Sequence, residues 1–99
     1  MRRHWPLAAV VLLALGAAVL AAPAPDPNLV RATIGGVVVQ TVAVGDAVEE
    51  GVPLVFVRTA TKPREVAARA PRDAEVADVL VRVGERIRVG DPVVRLTAP

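Results

Sequence analysis

Val42-Ala43-Val44-Gly45-Asp46-Ala47-Val48-Glu49-Glu50-Gly51-Val52-Pro53-Leu54-Val55-Phe56-Val57 returns later in the chain as Val81-Arg82-Val83-Gly84-Glu85-Arg86-Ile87-Arg88-Val89-Gly90-Asp91-Pro92-Val93-Val94-Arg95-Leu96. At a constant offset of 39, Gly45 falls on Gly84, Asp46 on Glu85, Val48 on Ile87, Gly51 on Gly90, Pro53 on Pro92 and Val57 on Leu96. Upstream, Val37 falls on Val76, so the alignment reads without a gap. A repeat of this kind comes first in the reading because it sets the architecture.

Each copy has a plain physical interpretation. A valine-rich strand ends at Gly45 or Gly84, where a residue without Cβ takes positive φ. An acidic side chain follows and caps the turn. Gly51 or Gly90 makes a second bend, and Pro53 or Pro92 opens the next strand, where no ladder donor is needed. Gly35-Gly36 reads as a turn leading into the first valine run and is too short for a phosphate-binding loop. One half cannot hide its own apolar face. Two halves related by a pseudo-two-fold close into a flattened, all-β barrel. The positions expected to point inward are Val37, Val42, Val48, Leu54, Val57, Val76, Val79, Val81, Ile87, Val93 and Leu96.

Composition agrees with strands. Eighteen of the 21 valines lie beyond Ala22, and β-branched residues suit half-buried pleated surfaces. About seventy residues are near the lower size limit for an independent core, and without cysteine no disulfide braces it.

The pI of about 10.4 invites a nucleic-acid reading. It fails on distribution: of the 12 Lys+Arg, Arg2 and Arg3 sit in the leader, and the ten that remain face 10 Asp+Glu. A neutral domain with Phe56 as its sole aromatic residue offers neither phosphate neutralisation nor a stacking platform.

The amino terminus carries a different signal. Arg2 and Arg3 precede an uncharged apolar run, Leu7–Ala22, ending in small residues, which is the pattern of a secretory signal peptide. Taken as Trp5 to Pro25, the uncharged stretch is long enough for an uncleaved, tilted membrane anchor. Either reading puts a hydrophobic helix ahead of the domain and sends the remainder out of the cytoplasm, with the amino terminus inside. The expected organisation is a signal peptide or anchor over residues 1–22, a Pro-rich spacer over 23–30 and the β-domain over 31–97.

Gly45-Asp46-x-Val48-x-x-Gly51-x-Pro53-Leu54, Ala70-Pro71-x-Asp73-x-x-Val76 and Gly84-Glu85-x-Ile87-x-x-Gly90-Asp91-Pro92-Val93 together resemble the biotinyl/lipoyl attachment domain. The resemblance runs from about Arg31 to Leu96. It implies the barrel-sandwich hybrid fold, with a lysine at the tip of the hairpin joining the halves. In that family a ligase attaches biotin or lipoate to this lysine. Lys62, the only lysine in the chain, falls in that hairpin, and Ala60-x-Lys62 is similar to part of the biotin motif. This sequence departs from the family there: Thr61 and Pro63 flank the lysine, the hairpin is one residue longer on each side, and Ala74 replaces a turn glycine that Gly35 keeps in the first half. A lengthened loop holds a lysine less tightly for a ligase, and biotin and lipoate ligases work with ATP in the cytoplasm. The domain also resembles that of periplasmic adaptor, or membrane-fusion, proteins, which carry two such half-motifs behind an N-terminal anchor.

After the leader there is no His, Cys, Ser, Tyr or Trp. Nucleophilic or acid–base catalysis therefore has no activated group to use, and no ligand set suits a zinc or calcium site. The chain is expected not to be an enzyme by itself. Glu49-Glu50 reads as solvated loop, and Pro63–Arg69 as a strand in preference to a short helix. Two roles stay open. The preferred one is a non-catalytic assembly or adaptor module, without cofactor, meeting a protein partner in a membrane-associated complex and touching the membrane through residues 5–25 if the leader stays. The alternative is a biotin or lipoate carrier modified on Lys62.

Overall fold

The computed structural model describes residues 26–99; the expected N-terminal helix, the leader of residues 1–22 and the start of the Pro-rich spacer lie outside the described residues. Among the described residues every regular element is a strand. They are β1 (Leu29–Arg31), β2 (Gly36–Thr41), β3 (Ala47–Val48), β4 (Pro53–Arg58), β5 (Glu65–Arg69), β6 (Ala74–Val79), β7 (Arg86–Ile87) and β8 (Pro92–Thr97). Pro63–Arg69 thus enters a strand, not a helix.

Two four-stranded sheets form, in the orders β1-β8-β6-β3 and β5-β4-β2-β7. All the pairs are antiparallel. Exchanging β1 with β5, β2 with β6, β3 with β7 and β4 with β8 turns one order into the other. Each sheet has a central pair from one half and edge strands from the other. The halves are exchanged at their edges, so neither completes a sheet alone.

The hydrogen bonds between elements obey the same exchange. Gly45 N–H donates to Val76 O at 2.8 Å, and Gly84 N–H donates to Val38 O at 2.7 Å. Gly51 N–H donates to Ala70 O and Gly90 N–H to Ala32 O, both at 2.8 Å. The surroundings of Gly45 and Gly84 are therefore alike, each turn gripping the strand of the other half.

These pairs also correct the repeat read from the sequence. From Gly45 onward the halves match at an offset of 39, but Val38 pairs by symmetry with Val76, and Ala32 with Ala70, at an offset of 38. The extra residue lies in the loop after β6. Val42 N–H donates to Leu54 O and Leu80 N–H to Val93 O, which makes Leu80 the mate of Val42 and leaves Val81 inserted. Leu80 turns outward, 42% exposed, while Val81 tucks under at 5%.

Buried apolar residues line the space between the sheets: Val38, Val48, Leu54, Val55, Val57, Val76, Val81, Ile87, Val93, Val94 and Leu96, with Ala32, Ala67, Ala68, Ala70 and Ala74 where the backbones approach. Val42 and Val79 pack partly buried against them. Val37 is only half-buried and Val38 takes the inward position. Both β2 and β6 carry a bulge, with the register shifting between Val38 and Gln40 and between Val76 and Asp78. A gapless offset of 39 matches Val37 to Val76 and so assigns it the wrong face, since a one-residue slip in a strand reverses every side chain.

The register also sets the ends of the molecule. β6 starts beside Thr97 and runs, through the Leu80–Glu85 loop, to the Gly36–Val38 end of the other sheet. Arg58 pairs with Val37 at that end. The hairpin carrying Lys62 therefore stands at the end opposite the start of β1 and the end of β8, where Asn28 O accepts from Leu96 N–H and Thr97 pairs with Glu75.

Candidate functional site at the Lys62 hairpin

Residues 59–64 connect β4 to β5 by a tight turn. Thr59 N–H donates to Lys62 O at 2.9 Å. In return, Lys62 N–H donates to Thr59 Oγ1 at 3.1 Å. A single threonine thus satisfies both backbone groups of Lys62, a side-chain-to-backbone capture typical of Thr in turns. The limb that follows is fastened as well: the Arg64 guanidinium lies 3.9 Å from the centroid of the Phe56 ring on β4, within cation–π range. The longer hairpin is not a loose loop. It is a closed turn whose apex is Ala60-Thr61.

Lys62 lies one step past that apex. Its side chain is 63% exposed, with Nζ 3.9 Å from Glu65 Oε1. A pair at that distance and exposure holds the amine weakly. The arrangement presents an exposed primary amine, weakly paired, from a backbone held by Thr59. Thr61 and Pro63 are both exposed and leave the amine open on either side.

The remaining turn residues act on the frame that supports this hairpin. Gly45, Gly51, Gly84 and Gly90 have φ of 92°, 85°, 93° and 89°, a region in which a Cβ is strained. Asp46 Oδ2 accepts from Ala43 N–H at 2.9 Å, and Glu85 Oε1 accepts from Arg82 N–H at 3.2 Å, capping the two equivalent turns. Pro53 and Pro92 are the first residues of β4 and β8. Gly36, next to Gly35, answers to close approach: a Cβ there would lie 2.6 Å from Arg58 O.

Two side chains escaped the sequence reading. Arg31 Nη1 donates to Gly90 O at 2.9 Å, and Arg69 Nη1 donates to Gly51 O at 3.0 Å. They are symmetry mates that tie each edge strand to the turn of the other half. The signal was present, since both arginines precede an alanine by one residue, but an offset of 39 does not align them.

No family model and no curated protein matches the sequence. Solved structures do. One is a single-chain, multi-domain long-chain acyl-CoA carboxylase, with 31% identity over 89% of this chain and a TM-score of 0.65. Another is the urea carboxylase of Kluyveromyces lactis, with 26% identity over 78% of the chain and a TM-score of 0.62. An aspartoacylase family protein from Mesorhizobium loti has the fold at 17% identity, a TM-score of 0.59 and 73% coverage of this chain. The chain spans 9% and 7% of the two carboxylases and 23% of the third protein. It is similar to one module of each. The likeness to the carboxylases fits a biotinyl-type barrel-sandwich fold.

Among the described residues no group of three or more His, Cys, Asp or Glu could hold a metal ion.

Proposed function

We propose that this chain is a carrier domain of the biotinyl type, with Lys62 the point of cofactor attachment, serving a larger enzyme and performing no chemistry alone. The observation that carries this reading is the closed turn at Thr59–Lys62, which holds the only lysine of the chain exposed at the end of the molecule away from Asn28 and Thr97. The sequence alone favoured assembly over attachment on three grounds: the export leader, the missing methionines beside Lys62 and the lengthened hairpin. The closed turn answers the third of these, and the similarity to two carboxylases adds support. When attached, a biotin would carry a carboxylate and a lipoate an acyl group. Thr59 fixes the backbone under the lysine, Arg64 on Phe56 stiffens the limb that follows, and the two-sheet core keeps the hairpin at a constant distance from the tether. If residues 1–22 export the domain, ATP-dependent attachment precedes export.

Co-expression with a biotin ligase and biotin, and separately with a lipoate ligase and lipoate, followed by intact-mass measurement, tests this. A single adduct with one cofactor, lost in Lys62→Arg, is the expected result. An unmodified mass in both cases overturns it.

A second reading has its own observation. The apex of the turn is Ala60-Thr61, so Lys62 stands off the tip with Glu65 beside it. That placement weighs against attachment and leaves room for a non-catalytic assembly module without cofactor; a place outside the cytoplasm and a protein partner at the membrane rest on the sequence pattern of residues 1–22. Recovery from membranes together with a stoichiometric partner, with Lys62→Arg equally competent, supports this role against the carrier.

A further inference from the structure

An open groove of about 610 Å3 lies at the foot of the hairpin, walled by Gly35-Gly36, by Arg58-Thr59-Ala60 and by Arg86–Val89. The pseudo-two-fold supplies a control for it, because the equivalent surface at the other end of the molecule is built from the mates of the same positions. There Gly35 is replaced by Asp73 and Val89 by Glu50. Asp73 Oδ1 accepts from Glu50 N–H at 2.8 Å, closing that surface with an internal carboxylate.

At the groove the same backbone donor has no such partner. Gly35 carries no side chain, and among the described residues no acceptor lies on Val89 N–H. A Cβ built on Gly35 would stand 3.8 Å from Val89 N and 3.0 Å from Ile87 O, so a side chain here points toward that amide but crowds the backbone, and an external carboxylate reaches it without that cost. The charges are inverted to match. Arg58, Arg86 and Arg88 line the groove, all exposed, and among the described residues none is in an ion pair. On the opposite surface Thr97, Ala47 and Glu49 take the places of these arginines, and Glu50, Asp73 and Glu75 those of Val89, Gly35 and Val37.

We infer that the groove is a binding site for a carboxylate supplied by a ligand. One carboxylate oxygen accepts from Val89 N–H, and Arg58, Arg86 and Arg88 provide the positive field and further donors, the groups best suited to a planar anion. The glycine pair leaves room for the ligand to reach the backbone. The site does not depend on modification of Lys62.

Titration of the 15N-labelled full chain with succinate tests this by two-dimensional amide NMR. The Val89 amide is expected to shift saturably, while Glu50, already bonded to Asp73, stays still as an internal reference. Gly35→Asp supplies the carboxylate internally and is expected to abolish the response. Arg88→Ala is expected to weaken it roughly tenfold, the loss of about one charge-assisted hydrogen bond. A parallel titration with a capped glutamate-rich peptide distinguishes a small acid from an acidic protein segment, the tighter binder naming the source. A Val89 amide that does not move with either probe, moves equally with sodium chloride at the same ionic strength, or still moves in Gly35→Asp overturns the assignment. If Gly35→Asp does not fold, undiminished binding in Arg88→Ala has the same force.

Discussion

The first and second halves of this domain share their backbone bonds almost one for one, yet their surfaces have parted. Gly45 and Gly84, Gly51 and Gly90, and Arg31 and Arg69 do the same work in both. The glycine pair Gly35-Gly36, however, has Asp73-Ala74 as its counterpart, and Arg58, Arg86 and Arg88 around the groove have Thr97, Ala47 and Glu49 as theirs. What the duplication keeps is the set of groups that lets each half close on its twin. What it releases is everything that faces solvent, and the two chemically distinct ends of the molecule arise there.

Paired substitutions can break or sharpen that comparison. The largest effect is expected in the core, at the mates Val57 and Leu96, 0% and 1% exposed. Leu96→Ala should cost about 2–5 kcal/mol and Val57→Ala about 2 kcal/mol, read by urea denaturation. A near-zero cost at either would mean that its half is not needed to close the barrel. Next come Gly36 and Ala74. Gly36→Ala drives a Cβ against Arg58 O and should destabilise by about 1–3 kcal/mol, whereas Ala74→Gly should cost about 1 kcal/mol through chain entropy and lost packing. Equal effects would show that the close approach at Gly36 is not special to the hairpin side. Smallest are Arg31→Ala and Arg69→Ala, each removing one exposed hydrogen bond to a turn carbonyl. Each should lower stability by no more than about 1 kcal/mol, and by the same amount within error. A difference of several-fold in the folding constant would break the equivalence.

The turn residues and the duplicated pattern made the all-β, two-half architecture legible in the sequence, because Gly, Pro and acidic caps mark bends by local chemistry. The slip from 39 to 38 was not legible. Val81 is one valine among many, and nothing local says that it is an insertion until Leu80 and Val42 are seen making the same bond. Val37 was misplaced for that reason, since bulges at Val39 and Ala77 depend on pairing with β4 and β8 and not on composition. The hairpin was half legible. Lys62 stood out as the only lysine, but the closure of its turn rests on the Thr59 hydroxyl, a contact visible only once the chain direction is known. The groove was hidden altogether, as it consists of residues from three separated segments.

The three-residue strand β1 has a mechanical consequence. Its neighbour β8 is joined to it through Leu29–Arg31 and, just ahead, through Asp26 Oδ2 and Arg95 Nη1 at 3.0 Å. Any pull transmitted through the residues before Asp26 loads this short ladder first and not the valine interior. Ala32, buried directly after β1 and bonded through its N–H to Asp91 O, anchors the far side of that ladder, so the load ends there and the shape of the barrel is kept.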